Sequence, residues 1–353
     1  MSYLIIFIFI YIFTTDNRSS IAAAVSSMLA TMAAFPLDSI KARLQVNTYH
    51  SVMDCVKKTY KEEGTKGFYR GIAIPMLTIT IVRTLSFTIY DETKRSLHRR
   101  NLLSSQSPQD VALSGLLGGM LSGLSISVGS CAFELVKIRA QLESAIAAKQ
   151  RRPLKDINTW QGAKEIIGSH GFRGLYFGFN LHCLRDTIGT GIYFLGYDST
   201  RSFAEQKIAE AEQRRLSGTD DNGFILPRSV VPFLCGSSCG VISWFLIYPL
   251  DVVKSRLQRD ALASSLWEPV KTLNILNSST INDMSRGIHH KRSFGFKAAV
   301  EVFRGLIRES NGSLRVLYSG LSISAFRSFF QHGIMWTILE RVRDQIQIRF
   351  QPD

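Results

Sequence analysis

A ten-residue pattern that recurs three times constrains this chain more than any other feature of it. The first copy reads Pro36-Leu37-Asp38-Ser39-Ile40-Lys41-Ala42-Arg43-Leu44-Gln45. The second is Ala132-Phe133-Glu134-Leu135-Val136-Lys137-Ile138-Arg139-Ala140-Gln141, and the third Pro249-Leu250-Asp251-Val252-Val253-Lys254-Ser255-Arg256-Leu257-Gln258. Acid, base, base and glutamine keep their offsets in every copy. Each copy closes an uncharged run, at residues 19–37, 111–133 and 229–250. A fixed internal repeat means that one structural unit is used three times.

The spacing has a physical meaning. Residues three and four apart share a helix face, so acid and first base sit together and the glutamine lies one turn on. A proline two residues before the acid removes a backbone hydrogen bond and bends the helix. Three such helices could converge into a ring of alternating charge. The uncharged runs are long enough to span a bilayer. The second carries Gly115, Gly119 and Gly123, and the third Gly236 and Gly240, small residues four apart that let helices approach closely in lipid. The first offers Ala23 and Ser27 in their place.

Three weaker apolar segments alternate with these runs, at residues 72–90, 179–197 and 321–339. Each contains charge: Arg83, the pair Arg185 and Asp186, and Arg327. Charge within a span is costly and faces a watery interior or a partner. Their placement predicts six transmembrane helices around a polar interior. Each segment also ends in acid and base three apart: Asp91 with Lys94 after Tyr90, Asp198 with Arg201 after Tyr197, and Glu340 with Arg343 after Leu339. A second charge ring at the opposite membrane face follows from the same geometry.

The rest of the chain bounds the function class. Its 353 residues carry a net charge of +14, with basic residues mostly between the apolar runs, as expected of loops flanking membrane helices. No nucleic-acid module is visible. The five cysteines form no CxxC pair and no secreted-type framework, so free thiols and no metal are expected. No nucleophile, metal cluster or phosphate loop points to an enzyme, and no cofactor is implied. The organisation expected is an N-terminal segment of uncertain role at 1–18, and repeats at 19–100, 101–228 and 229–353. The second repeat ends in a polar loop whose residues 204–215 read as a surface helix. The third holds a polar insertion at 259–293.

These motifs resemble the mitochondrial carrier family of solute transporters, over nearly the whole chain. Its repeats carry Pro-x-[Asp/Glu]-x-x-[Lys/Arg], and its even helices end in [Phe/Tyr]-[Asp/Glu]-x-x-[Lys/Arg]. The resemblance implies an all-α membrane protein, a pseudo-threefold barrel of six transmembrane helices in the mitochondrial inner membrane. It implies a monomer in contact with membrane lipid, cardiolipin being a candidate, and with a small-molecule metabolite but no nucleic acid. It further implies a matrix gate of Asp38, Lys41, Glu134, Lys137, Asp251 and Lys254, braced by Gln45, Gln141 and Gln258. The cytoplasmic gate would be Asp91, Lys94, Asp198, Arg201, Glu340 and Arg343, braced by Tyr90 and Tyr197. Counting from the glycine that opens each even helix places the solute contacts at Thr78, at Arg185 with Asp186, and at Arg327. Ala132 in place of proline puts the kink of the third helix in doubt, and Leu339 removes one aromatic brace.

Arginine followed by an acid can hold both ends of a zwitterion. The stretch around Arg185 and Asp186 resembles carriers of carnitine, acylcarnitine and amino acids, which would make the chain an antiporter of such a solute. A carrier of keto or carboxylic acids using Arg83, Arg185 and Arg327 is the alternative within the class. Arg83 could be an anion contact or a gate partner. An adaptor that has kept the fold and lost transport is the alternative outside it.

Overall fold

In the computed structural model the described residues are 17–46, 51–69, 72–104, 107–150, 159–217, 227–271, 296–310, 312–318 and 320–349. They are helical, with no strand among them. Nine α-helices follow in order: α1 Asn17–Val46, α2 Val52–Gly67, α3 Ala73–Arg99, α4 Pro108–Gln150, α5 Thr159–His170, α6 Phe179–Leu216, α7 Val231–Lys271, α8 Phe296–Glu309 and α9 Leu321–Arg349. Short 3-10 helices at Phe172–Tyr176 and Leu314–Tyr318 follow α5 and α8. The threefold pattern of the sequence is thus a threefold pattern of elements: long helix, short helix, tight turn, long helix.

Only two helices pass as membrane spans by length and composition, Pro108–Arg139 and Val231–Arg259. Ala22–Leu37 is apolar but shorter. The expected third long span is therefore reduced to a short one, because charge brackets it closely. The polar loop after the second repeat also differs from expectation. Residues 204–215 form no separate helix but continue α6 without a break. α4 runs unbroken through Ala132, and α7 runs on to Lys271, well into the predicted insertion. Residues 1–16 and 272–295, on which the remaining expectations for the N-terminal segment and the insertion fall, lie outside the described residues.

The chain divides into two compact units. Unit 1 takes Met1–Ile126, Asp186–Leu246 and Gly320–Asp353, and unit 2 takes Ser127–Arg185 and Ile247–Ser319. Within unit 1, α1 packs on both α3 and α9. The glycine stripes explain how closely its helices approach. A Cβ on Gly119 would lie 2.6 Å from the carbonyl oxygen of Thr190, and one on Gly123 would collide with the backbone at Asp186. On α7, a Cβ on Gly236 would lie 2.6 Å from the Trp336 ring. Hydroxyls knit the same contacts: Ser86 and Ser122 share a 2.7 Å hydrogen bond, and Ser237 donates to the Phe329 carbonyl at 2.8 Å. The opposite faces are inverted relative to a water-soluble bundle. On α4, Leu113, Leu117, Met120, Leu121, Leu124 and Val128 are exposed while Ser114 and Ser122 are buried. Such an apolar face is covered by lipid.

Within unit 2 the short helices cap the motif ends. Ala299 and Leu306 of α8 bury against Val253 and Leu257 of α7. Ile166 of α5 buries against Leu135, Val136 and Ile138 of α4, and Arg139 pairs with Glu165 at 2.6 Å. In each repeat a glycine then turns the chain with positive φ: Gly64 at 66°, Gly171 at 67° and Gly312 at 83°. Nothing crowds a Cβ at these positions, so glycine is there for its backbone freedom and not for space. Gly171→Ala should cost about 1–2 kcal/mol, read as a lower melting temperature in detergent. Gly171→Asn should cost less, since asparagine tolerates this region better.

Candidate functional site

The ends of α3, α6 and α9 meet in unit 1 through charge. Each carries acid and base three residues apart, so both project from one face. Lys94 reaches Asp198 at 2.7 Å, Arg201 pairs with Glu340, and Arg343 pairs with Asp91. Each base thus takes the acid of the next helix, and three links return to the start. The links are partly buried, with Asp198 the least exposed of the acids at 7%. Tyr90 donates its hydroxyl proton to Asp198 at 2.7 Å and receives Lys94 at 3.1 Å. The link between α3 and α6 is therefore braced by a second hydrogen-bonded group. Tyr197 differs from the role expected of it: its hydroxyl has no hydrogen-bond partner, and its ring stacks on Trp336 with centroids 3.4 Å apart. Tyr197 supports the ring by packing. Glu205, one turn beyond Arg201, holds the outer side of that guanidinium at 2.8 Å.

An aromatic layer lies against this charge ring. Tyr90 stacks on Phe194 at 3.8 Å, and Phe87 meets both Phe194 and Trp336 edge-on at 5.4 and 5.2 Å. Trp336 stands one turn before Glu340 on α9, and Phe194 one turn before Asp198 on α6. These rings bury with Met335 and Leu339, so the residue that replaces the third aromatic joins the apolar layer.

In unit 2 the repeated motif gathers a second charged set around Glu134. Lys254 Nζ lies 2.6 Å from Glu134 Oε2 and is wholly buried, which it tolerates because of that carboxylate. Arg185 reaches the same oxygen at 3.4 Å and Asp251 Oδ1 at 2.7 Å. His182 is also wholly buried, with Nδ1 3.2 Å from Glu134 and Nε2 2.8 Å from Ser130 Oγ. Four of the predicted residues, Glu134, Arg185, Asp251 and Lys254, therefore converge, but Arg185 does so as a partner of the motif acids. Gln258 donates to the Phe177 carbonyl at 3.1 Å and packs on Gly178, tying α7 to the turn that opens α6. Lys137 is exposed on α4. The side chains of Asp38, Lys41, Gln45 and Gln141 lie outside the described residues.

The other predicted contact residues, Thr78, Asp186, Arg327 and Arg83, belong to unit 1. All four are half-buried. Arg327 bonds Gln331 at 3.0 Å, one turn on along α9. Arg83 gives a hydrogen bond to the Met335 thioether at 3.1 Å. Sequence reasoning passed over His182, Trp336, His332 and Tyr193, which occur once each and share no repeated offset. His182 had one available signal, its place three residues before Arg185 on the same helix face. Among the described residues no group of three or more His, Cys, Asp or Glu side chains could hold a metal ion, and all five cysteines are free thiols.

Comparison with known proteins agrees with this architecture. The sequence profile of the family described as Mitochondrial carrier protein matches residues 17–101, 108–207 and 227–349, one block per repeat. Mitochondrial ornithine transporter 1 of Schizosaccharomyces pombe is 30% identical over 69% of this chain and 76% of its own. The human Mitochondrial basic amino acids transporter is 30% identical over 69% of this chain and 72% of its own. Mitochondrial magnesium exporter 1 of Drosophila melanogaster is 30% identical over 68% of this chain and 76% of its own. With its three repeats matched in turn, the chain belongs to the mitochondrial carrier family, and is a multi-pass solute carrier of the mitochondrial inner membrane.

Proposed function

We propose that this carrier moves a small amino-acid-like solute, with both an ammonium and a carboxylate group, by alternating access between two charged gates. The helices α1, α3, α4, α6, α7 and α9 are the six spans, arranged with pseudo-threefold symmetry in a lipid-bound monomer. The observation that carries the transport reading is the closed cycle of three interhelical acid–base pairs on α3, α6 and α9. Such a cycle holds three helix ends together only while its links are made, so it acts as a gate on the cytoplasmic side. The Glu134 set acts as its counterpart on the matrix side. A solute shifts the balance between gates only through different affinity for the two states.

For the solute, the reading rests on mixed charge. Asp186 supplies an acid for an ammonium group, and Thr78, Arg327 and Arg83 supply donors for an anion. Relatives named for ornithine and for basic amino acids, each about 30% identical, support the same class. The test is exchange by purified protein in liposomes loaded with ornithine, lysine, carnitine or 2-oxoglutarate. Saturable exchange of a basic amino acid is expected, together with a higher melting temperature in its presence. Exchange of the oxo acid alone would favour an anion carrier. Folded, inserted protein that exchanges none of them would sink the transport reading in favour of an adaptor.

A further inference from the structure

Arg83 is a buried cation with no acid of its own. Its recorded hydrogen bond goes to the Met335 thioether, a weak acceptor, and among the described residues no carboxylate pairs with it. The Arg327 charge bears on it from α9. Two guanidinium groups inside a membrane protein repel each other strongly in the low dielectric, and an anion between them relieves both.

A third donor stands beside them. Trp336 Nε1 lies 2.6 Å from Tyr193 Oη, and His332 Nδ1 lies 2.7 Å from the same oxygen. An indole N–H can only donate. Tyr193 therefore accepts from Trp336 and turns its own proton to His332 Nδ1, which leaves the histidine proton on Nε2. Both arginine charges bear on that ring. The ring sits over Gly240, where a Cβ would lie 3.0 Å from His332 Cδ2, so the glycine makes room for it. The cluster thus offers donors from Arg83, Arg327 and His332, held by Tyr193 and Trp336.

We propose that Arg83, Arg327 and His332 form a carboxylate-binding subsite within unit 1, and that this subsite, not Arg185, takes the solute's carboxylate. It rests on the amino-acid reading above and deepens it. Arg185 is already engaged by Asp251 at 2.7 Å and Glu134 at 3.4 Å, and a solute carboxylate would have to displace both. Arg83 has only a sulfur to release. Its planar fork suits a carboxylate in two parallel hydrogen bonds.

The experiment compares wild type, Arg83→Gln and Arg83→Lys of the full chain in liposomes. The solutes are ornithine, putrescine (the diamine left when ornithine loses its carboxylate) and 2-oxoglutarate. Wild type should prefer ornithine to putrescine. Arg83→Gln should raise the KM of ornithine about tenfold or more and leave the KM of putrescine near the wild-type value. Arg83→Lys should recover part of the loss, because it keeps the charge but not the fork. A role confined to packing against Met335 would lower the melting temperature in detergent and change every KM alike, which would overturn the proposal. An unchanged KM for ornithine and 2-oxoglutarate in Arg83→Gln would overturn it too, as would wild-type indifference between ornithine and putrescine. If wild type takes only 2-oxoglutarate and Arg83→Gln raises that KM, the subsite stands and the amino-acid reading falls. Should the glutamine variant fail to fold, a KM for Arg83→Lys equal to wild type for both carboxylates overturns the proposal, and a rise limited to them upholds it.

Discussion

Glu134→Gln is expected to slow exchange by about a hundredfold, equivalent to about 2–3 kcal/mol. The argument is one of numbers of partners. One carboxylate serves Lys254, Arg185 and His182, and two of these three side chains are wholly buried. An amide keeps the shape and one acceptor but removes the charge. Lys254 is then left buried with no direct counter-charge, and its desolvation is no longer offset. Arg185 retains Asp251. Lys254→Met, which removes the buried charge together with its need for a partner, should therefore be milder in stability than Glu134→Gln, though both disable the gate. Melting temperature and initial exchange rate, measured side by side, separate the two effects. A Glu134→Gln protein that exchanges solute at the wild-type rate would remove Glu134 from the mechanism.

Asp198→Lys should abolish exchange, and Lys94→Asp combined with it should restore a substantial part. The single change places two cations 2.7 Å apart by the present geometry and leaves the Tyr90 hydroxyl without its acceptor. The double change reverses the link without altering its neighbours in the cycle. A coupling free energy of about 1–3 kcal/mol is expected from the double-mutant cycle. Gly115 limits this repair, since even a Cβ there would lie 2.6 Å from Asp198 Oδ2 and the longer lysine meets the same wall of α4. Restoration is thus incomplete by design of the site. A double variant as inactive as the single one would show that the link is not what holds α3 to α6.

Much of this was legible in the sequence because the chemistry repeats. Acid and base at three-residue spacing must share a helix face, and three copies of that spacing ask for partners of their own kind. The cycle of Asp91, Lys94, Asp198, Arg201, Glu340 and Arg343 follows. The glycine turns were legible for the same reason, and the positive φ at Gly64, Gly171 and Gly312 states what the repetition was for. What could not be read is the choice made by a long side chain among several partners. Arg185 looks like a solute contact from its place in the repeat, yet its guanidinium reaches Asp251, 66 residues away. Tyr197 matches Tyr90 in offset, but Trp336 stands beside it and stacking wins over a hydrogen bond. His182, Tyr193, His332 and Trp336 break the threefold pattern, and specificity resides in such exceptions. The length of α6 was missed for a different reason. Its polar second half carries no apolar stripe, yet helix-favouring Ala, Glu, Gln, Lys and Arg continue it where burial does not.

That length turns α6 into a lever. At 1.5 Å per residue, Leu216 stands about 27 Å along the helix axis beyond Asp198. Salt bridges within the extension, Arg201 with Glu205 and Lys207 with Glu210, run along its surface and stiffen it. A tilt of roughly ten degrees at the charge ring is carried to Leu216 as a displacement of about 5 Å. Leu216 is 88% exposed, so a fluorescent or spin label there can be read from outside the bilayer without entering the solute path. The arm amplifies mechanically what happens where three pairs of charges part and rejoin, and turns a rearrangement of hydrogen bonds into a measurable swing.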